Sequence, residues 1–418
     1  MGLTVLAAVA AFAVTADISV SEHAARRAAL RKVLPAQSVV ALVGGTEGDH
    51  GDLRSTFFQE PNFLYFTGWR EPEARAIFTA AGDYLFVPKR TDVRDRYTGR
   101  KSAPNDAGIA ARTGFEYVLD AAEFAAKLKE LAGEDRAVHW LAKTEGAGIV
   151  RETLGAARTL HALELPAARV RMVKSPAEIA RIQRSVDATM DAHRAAWKRT
   201  KAGLYEYQVA TTMAATYFEQ GCERHAYLPI VASGPNSIVL HYGANKRRMD
   251  SGELLLMDVG AECADYAADI TRTIPVNGRF TPRQREIYEI VLGAQKAAIA
   301  AAKPGMRFTG REPGTLNRVA LDYVDSHGKD RHGESLGKYY LHGLGHHVGL
   351  EVHDATDPGV TLAPGMVITI EPGVYIAEEN IGVRIEDVVL ITETGARVLS
   401  SSLPREAADI ERAMRGGR

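Results

Sequence analysis

Cysteine is scarce, with only Cys222 and Cys263 in 418 residues. That count excludes a disulfide-stapled scaffold and a thiolate zinc site, and no CxxC spacing occurs. One bridge between the two stays open, but two buried free thiols is the favoured reading. An excess of one charge sign is also missing. Lys plus Arg number 51 against 52 for Asp plus Glu, and no basic tract is interleaved with aromatics. Neither nucleic acid nor an anionic membrane surface is indicated as a partner. Long apolar runs are absent except at the start. Residues 1–16 (MGLTVLAAVAAFAVTA) carry no charged side chain, yet crossing a bilayer takes about 20 apolar residues. The segment fits the apolar stretch of a secretory leader, with the small residues Val14-Thr15-Ala16 offering a cleavage point. Export to the periplasm or medium follows if it acts as a leader, and a cytoplasmic location otherwise. No stable membrane anchor is read elsewhere.

What is present is bulk. A chain of 418 residues, 46% hydrophobic, is too long for one ordinary core and predicts two domains. The first half reads as a mixed α/β domain. A helix over residues 22–34 precedes a strand, Ser38 to Val43, that stops at Gly44-Gly45. Short apolar runs follow (63–67, 76–79, 84–87), with a helical pattern near 121–131. No glycine-rich phosphate loop appears there. The divide falls near Met172-Val173-Lys174, giving 1–16 as a leader, 17–172 as one domain and 173–418 as the other. Ser175-Pro176-Ala177-Glu178 and Thr281-Pro282-Arg283-Gln284 are capping boxes with proline at the first helical position. A further helix is predicted from about Tyr205 to Gln220, ending at Gly221.

The chemistry lies between those helices. In Leu254 to Ile274 two apolar runs flank a polar turn, which predicts a β-hairpin. Placing the turn between Cys263 and Ala264 sets Asp258 directly opposite Asp269. Val367 to Ile391 repeats the pattern about Ala377-Glu378-Glu379-Asn380, setting Glu371 opposite Glu386. Like charges facing across a ladder are unfavourable, and charges inside apolar strands are paired or bound to metal. A metal site is favoured over a carboxylate–arginine network, for which Arg272 and Arg384 are the available counter-charges. A third segment, Leu341 to Asp354 (LHGLGHHVGLEVHD), holds four of the thirteen histidines among three glycines. An oxygen-rich set with one imidazole suits manganese, and also accommodates zinc or cobalt. Bridging carboxylates can hold two such ions about 3.5 Å apart and activate a water between them.

The segments MDVGAECADYAADITRT, HGLGHHVGLEVHD, TIEPGVYI and GVRIEDVVLIT, in that order, resemble the site segments of the pita-bread metallopeptidases. That family includes methionine aminopeptidase, prolidase and aminopeptidase P. The first half (FFQEPNFLYFTG and EPEA) resembles the amino-terminal domain of aminopeptidase P and prolidase. The resemblance implies an α/β (α+β) chain: a mixed α/β domain followed by a pita-bread catalytic domain. It implies two divalent metal ions, manganese first, held by Asp258, Asp269, His346, Glu371 and Glu386, with Asp269 and Glu386 bridging. Glu371 would be the proton shuttle. His241 and His353 would act near the scissile carbonyl, and His342 would line the pocket for the proline ring. Tyr375 and Arg384 would organise the carboxylates, and His347 has no role assigned. The implied activity is release of the first residue from peptides that carry proline second, with a homodimer or homotetramer as the assembly. Two alternatives stay open: a dipeptidase restricted to Xaa-Pro, and a non-catalytic binding protein on the same fold.

Overall fold

The protein is described here by a computed structural model covering residues 17–47 and 56–415; the apolar segment 1–16, expected to act as a leader, lies outside the described residues. The first strand, β1 (Val39–Val43, VVALV), is buried along its whole length, because both faces of its sheet are covered. The other strands of the sheet are β2 (Arg75–Phe78), β3 (Asp83–Val87), β4 (Tyr117–Asp120), β5 (Val138–Trp140) and β6 (Leu160–Ala162), in the order β4-β3-β2-β1-β5-β6. β1 pairs antiparallel with β2 and parallel with β5. Alternate residues serve two cores. Val40 and Leu42 join Phe63 and Phe66 on one side, while Val39, Ala41 and Val43 join Phe124 and Leu128 on the other. The apolar run 63–67 forms a helix, Pro61–Thr67, capped by Glu60 and closed by Gly68 in the left-handed region at φ 68°.

Both predicted capping boxes are present. Ser175 opens the helix Pro176–Arg199 and Thr281 opens Pro282–Ala301. The helix Glu206–Glu219 lies between them. Against these pack the strands β7 (Arg224–His225), β8 (Ile230–Ser233), β9 (Leu254–Val259), β10 (Ala261–Cys263), β11 (Tyr266–Ala267) and β12 (Ile270–Pro275). The later strands are β13 (Val367–Ile370), β14 (Gly373–Ile376), β15 (Ile381–Arg384), β16 (Asp387–Ile391) and β17 (Ala396–Val398). Among the described residues no helix is long and apolar enough to cross a membrane.

The second hairpin has the predicted register. Ile370 faces Asp387 and Gly373 faces Arg384, so Glu371 and Glu386 stand opposite each other in the gap between two ladders. The first hairpin is shifted by one residue. Asp258 faces Thr271, and Cys263 faces Tyr266, which makes Asp269 a diagonal rather than a direct neighbour of Asp258. The cause is a two-residue turn at Ala264-Asp265, both left-handed at φ 52° and 68°. Turns of this kind match the strand twist, and here that preference outweighs the cost of placing alanine in that region.

The expectation of two free thiols is corrected: Cys222 and Cys263 form a disulfide. β7 pairs with β10 through Arg224 opposite Glu262. That pairing brings the end of helix Glu206–Glu219 onto the first hairpin and sets the two cysteines side by side.

Candidate metal centre

Each carboxylate reaches the site because its strand hands it over. The Glu386 N–H leaves its own hairpin and donates to the Thr271 carbonyl at 3.1 Å, while the Glu371 N–H donates to the Leu344 carbonyl at 2.9 Å. These two bonds join the second hairpin to the first hairpin and to the histidine segment. Thr369 N–H donates to the His346 carbonyl at 2.8 Å, and its hydroxyl accepts from His346 N–H at 3.0 Å. Gly345 is required at this approach, since a Cβ there would collide with Thr369.

The result is a tight donor cluster. Asp269, His346 and Glu386 each offer one ligand atom, all within 4.8 Å of one another. His346 Nε2 lies 3.4 Å from Asp269 Oδ2 and 3.6 Å from Glu371 Oε1. The other ring nitrogen, Nδ1, lies 3.1 Å from the His347 carbonyl. A carbonyl can only accept, so Nδ1 carries the proton and Nε2 presents its lone pair to the cluster.

Four carboxylates face one guanidinium, that of Arg384. Its Nη2 donates to Asp258 Oδ2 at 2.5 Å, its Nη1 to Tyr375 Oη at 2.8 Å and its Nε to Thr271 Oγ1 at 3.2 Å. Tyr375 is thus hydrogen-bonded to Arg384 rather than to a carboxylate among the described residues, and it also lies 2.8 Å from His342 Nε2. Burial raises the Asp258 carboxyl, but Arg384 outweighs it and holds the group below its ordinary range. Among the described residues the other three have no guanidinium hydrogen-bonded to them. Burial, then Glu386, pushes Glu371 up to about 8. Burial and neighbouring carboxylates hold Asp269 and Glu386 well above the carboxylate range. Glu386 Oε1 is buried with no hydrogen-bond partner among the described residues. Such a set is electrostatically incomplete, and small divalent cations with an oxygen preference fit it.

Tyr227 was not anticipated from the sequence. Its hydroxyl lies 2.5 Å from Asp258 Oδ1 and also contacts Asp269 Oδ1. A phenol has one proton to give, so it satisfies one carboxylate only; the raised pKa of Asp269 fits a second proton on that side. Thr271, whose hydroxyl donates to Glu386 Oε2 at 2.7 Å, was missed as well. It sits two residues after Asp269 and so on the same strand face, a parity signal that was available. Tyr227 lies in an irregular segment with no such signal.

The cluster forms one wall of a cleft of about 600 Å³. His241, His342 and His353 line it, and Leu228, Ile230, Leu240 and Val352 supply an apolar side. The His353 and His346 ring centroids are 4.1 Å apart. His347 is buried against Phe308 and is not part of the lining. Nine of the ten predicted site residues line this cleft, and the tenth, Tyr375, sits behind it against His342 and Arg384.

The chain is similar to known proteins in both sequence and fold. Residues 180–393 match the pattern of metallopeptidase family M24, and residues 23–139 match the aminopeptidase P N-terminal domain. The Xaa-Pro aminopeptidase of Haemophilus influenzae is 34% identical over 390 residues, covering 87% of this chain and 90% of the relative. That of Escherichia coli is 32% identical over 436 residues, covering 95% and 98%. The solved structure of aminopeptidase P from E. coli with the inhibitor Pro-Leu superimposes with a TM-score of 0.85 at 30% identity, over 96% of this chain and 100% of that one.

Proposed function

The chain belongs to metallopeptidase family M24, with the aminopeptidase P N-terminal domain ahead of the catalytic one, and from that premise we propose that it releases the first residue from peptides carrying proline in second position. It is a metal-dependent aminopeptidase. The observation that carries the substrate reading is the convergence of the buried Asp258, Asp269 and Glu386, the half-buried Glu371 and His346 on a cleft that His241, His342 and His353 also line. Asp258, Asp269, His346, Glu371 and Glu386 would hold two divalent ions. Manganese is the first choice because oxygen donors dominate, and zinc or cobalt would be accommodated by the imidazole. Bound there, the ions supply Lewis acidity and lower the pKa of a water at neutral pH.

The chain's own groups do the rest. Glu371 takes a proton from the attacking water and delivers it to the leaving proline nitrogen. His353 and His241 donate hydrogen bonds to the peptide oxygen as it gains charge. His342, steadied by Tyr375, bounds the proline side, and the apolar wall keeps water from the bond being cut. An Xaa-Pro bond is a tertiary amide without an N–H, so a dedicated cleft is needed where ordinary proteases would look for that donor. The free amino group of the substrate finds its counter-charge among the carboxylates, which confines cleavage to the first bond.

The test is a peptide panel on chelator-stripped protein with and without added Mn²⁺. Peptides beginning Xaa-Pro and several residues long should be cleaved only with metal. Hydrolysis confined to dipeptides such as Ala-Pro would instead identify a dipeptidase. Activity that survives chelation would refute metal dependence.

We also propose that the protein is exported and assembles as a homodimer or homotetramer. The uncharged leader of residues 1–16 and the Cys222–Cys263 disulfide favour an oxidising compartment. Cell fractionation checks this, and recovery wholly in the cytoplasm with reduced thiols would reject it. Light scattering reads the assembly.

A further inference from the structure

The segment from His346 to Asp354 leaves the donor cluster and returns to it. Its middle leans on the first hairpin, where Ala267 N–H donates to the Gly349 carbonyl at 2.8 Å. Its base is closed by Asp354 N–H donating to the His347 carbonyl at 2.9 Å. Near the end of this excursion stands His353, exposed to the cleft. Among the described residues no hydrogen bond holds its ring, which rests against His346. The position of that imidazole is therefore set by its backbone.

The next residue anchors that backbone. The Asp354 side chain is 2% exposed and lies between two cations: Arg171 on one oxygen, and Lys174 Nζ at 2.9 Å on the other. Burial alone would raise this carboxyl, but Arg171 and Lys174 outweigh it and hold it down at about 2. Gly349 makes room, since a Cβ there would collide with the carboxylate. Arg171 reaches further. It donates to Asn62 Oδ1 at 2.7 Å and to Glu351 Oε2 at 3.0 Å. Asn62 belongs to the helix Pro61–Thr67, inside the stretch that matches the N-terminal domain. Arg171 and Lys174 flank the junction between the two halves of the chain. A buried ion pair is a weak source of stability, because desolvation offsets the attraction. What it does well is fix one geometry.

We infer that Asp354 is a positioning residue: it fixes the backbone under His353 so that the imidazole meets the peptide carbonyl, and through Arg171 and Asn62 it ties that position to the N-terminal domain. This rests on the reading of His353 as a carbonyl-facing group. A displacement of about 1 Å at a reacting group can cost on the order of 100-fold in rate, so the effect should appear in kcat rather than in KM.

The experiment measures kcat, KM and metal content for four Mn²⁺-loaded proteins: wild type, Asp354→Asn, His353→Ala and the double variant. Asp354→Asn should lower kcat by about tenfold or more, with KM and metal content within about twofold. On the His353→Ala background the same change should cost less than about twofold, because the group it positions is gone. A fully active His353→Ala would overturn the reading of His353, and the positioning role with it. An impaired His353→Ala with Asp354→Asn equally damaging on both backgrounds would overturn the positioning role alone. Loss of metal in proportion to loss of rate would do the same. If Asp354→Asn does not fold, Asn62→Ala takes its place in the same cycle, since it leaves the carboxylate and both its cations. A kcat loss of about two- to fivefold that vanishes on His353→Ala supports the inference, and an additive loss rejects it.

Discussion

Glu371 is the side chain on which two proposed roles meet, since it stands beside His346 of the donor cluster and is also the proposed proton carrier. Its replacement by glutamine keeps the shape and one oxygen donor but cannot take a proton. Glu371→Gln should lower kcat by about 1,000-fold or more while bound metal falls by less than half, read by rate assay and elemental analysis together. Normal turnover in that variant would remove the assignment. Tyr227 offers a milder contrast. Tyr227→Phe takes one hydrogen bond from the Asp258/Asp269 pair and should weaken metal affinity about 10- to 100-fold, with turnover recovered at high Mn²⁺; an unchanged metal titration would show the phenol to be incidental. His193 carries a pH prediction. It is fully buried, with Nε2 donating to the Ile270 carbonyl at 3.0 Å. Burial, then Arg272, lowers its pKa from 6.5 to about 3. A depressed histidine binds its proton more readily in the unfolded chain, so stability is whole above pH 6.5 and drains away as pH falls toward 3. At pH 5 the loss from this one group is roughly 2 kcal/mol. His193→Gln should therefore lose less melting temperature than wild type between pH 7.5 and 5, and equal losses would contradict the buried neutral state.

At the scale of elements, the two hairpins show what a sequence can and cannot specify. The Glu371/Glu386 register was legible because a four-residue polar turn marks its own centre, with Asn380 in the left-handed position at φ 51°. The Asp258/Asp269 register was off by one because the true turn, Ala264-Asp265, lacks the glycine or asparagine that usually marks such a geometry. The error left both aspartates on the same face, since each shift of the turn by one residue preserves parity between paired strands. The site was therefore recoverable although its register was not. The disulfide was illegible for a different reason. Cys222 and Cys263 are 41 residues apart, and only the pairing of β7 with β10 brings them together. That bridge ties the tip of the aspartate hairpin to a helix. Opening a loop of this length costs roughly 4 kcal/mol in the chain-entropy account. Cys222→Ser with Cys263→Ser should lower the melting temperature by about 5 °C or more. It should also weaken metal retention, because the hairpin that carries Asp258 and Asp269 loses its tether. A double variant with wild-type melting would mean that packing alone holds the hairpin.

The whole molecule raises the question of whether two domains behave as two. The sequence divides them plainly, but their core does not. Phe63 and Phe66 of the first half belong to the same buried cluster as Met172, Ile182 and the catalytic strands. Across the junction, Arg26 pairs with Glu178 at 3.2 Å and Arg70 with Asp265 at 2.5 Å. Arg171 joins Asn62 to Asp354. Continuous apolar packing with bridging ion pairs couples the halves more strongly than a transient interdomain surface would. Unfolding should then be one cooperative transition. The three tryptophans report on it separately: Trp69 and Trp140 lie in the first half, and Trp197 lies in the helix Pro176–Arg199. With two of the three replaced by phenylalanine in turn, the Trp197 signal and the Trp140 signal should give the same denaturant midpoint, matching that of circular dichroism. A Trp140 transition well before that of Trp197 would mean that the N-terminal domain melts alone. His353 would then keep its place without it, and the dependence of the catalytic loop on Asn62 and Arg171 would fail at the same time.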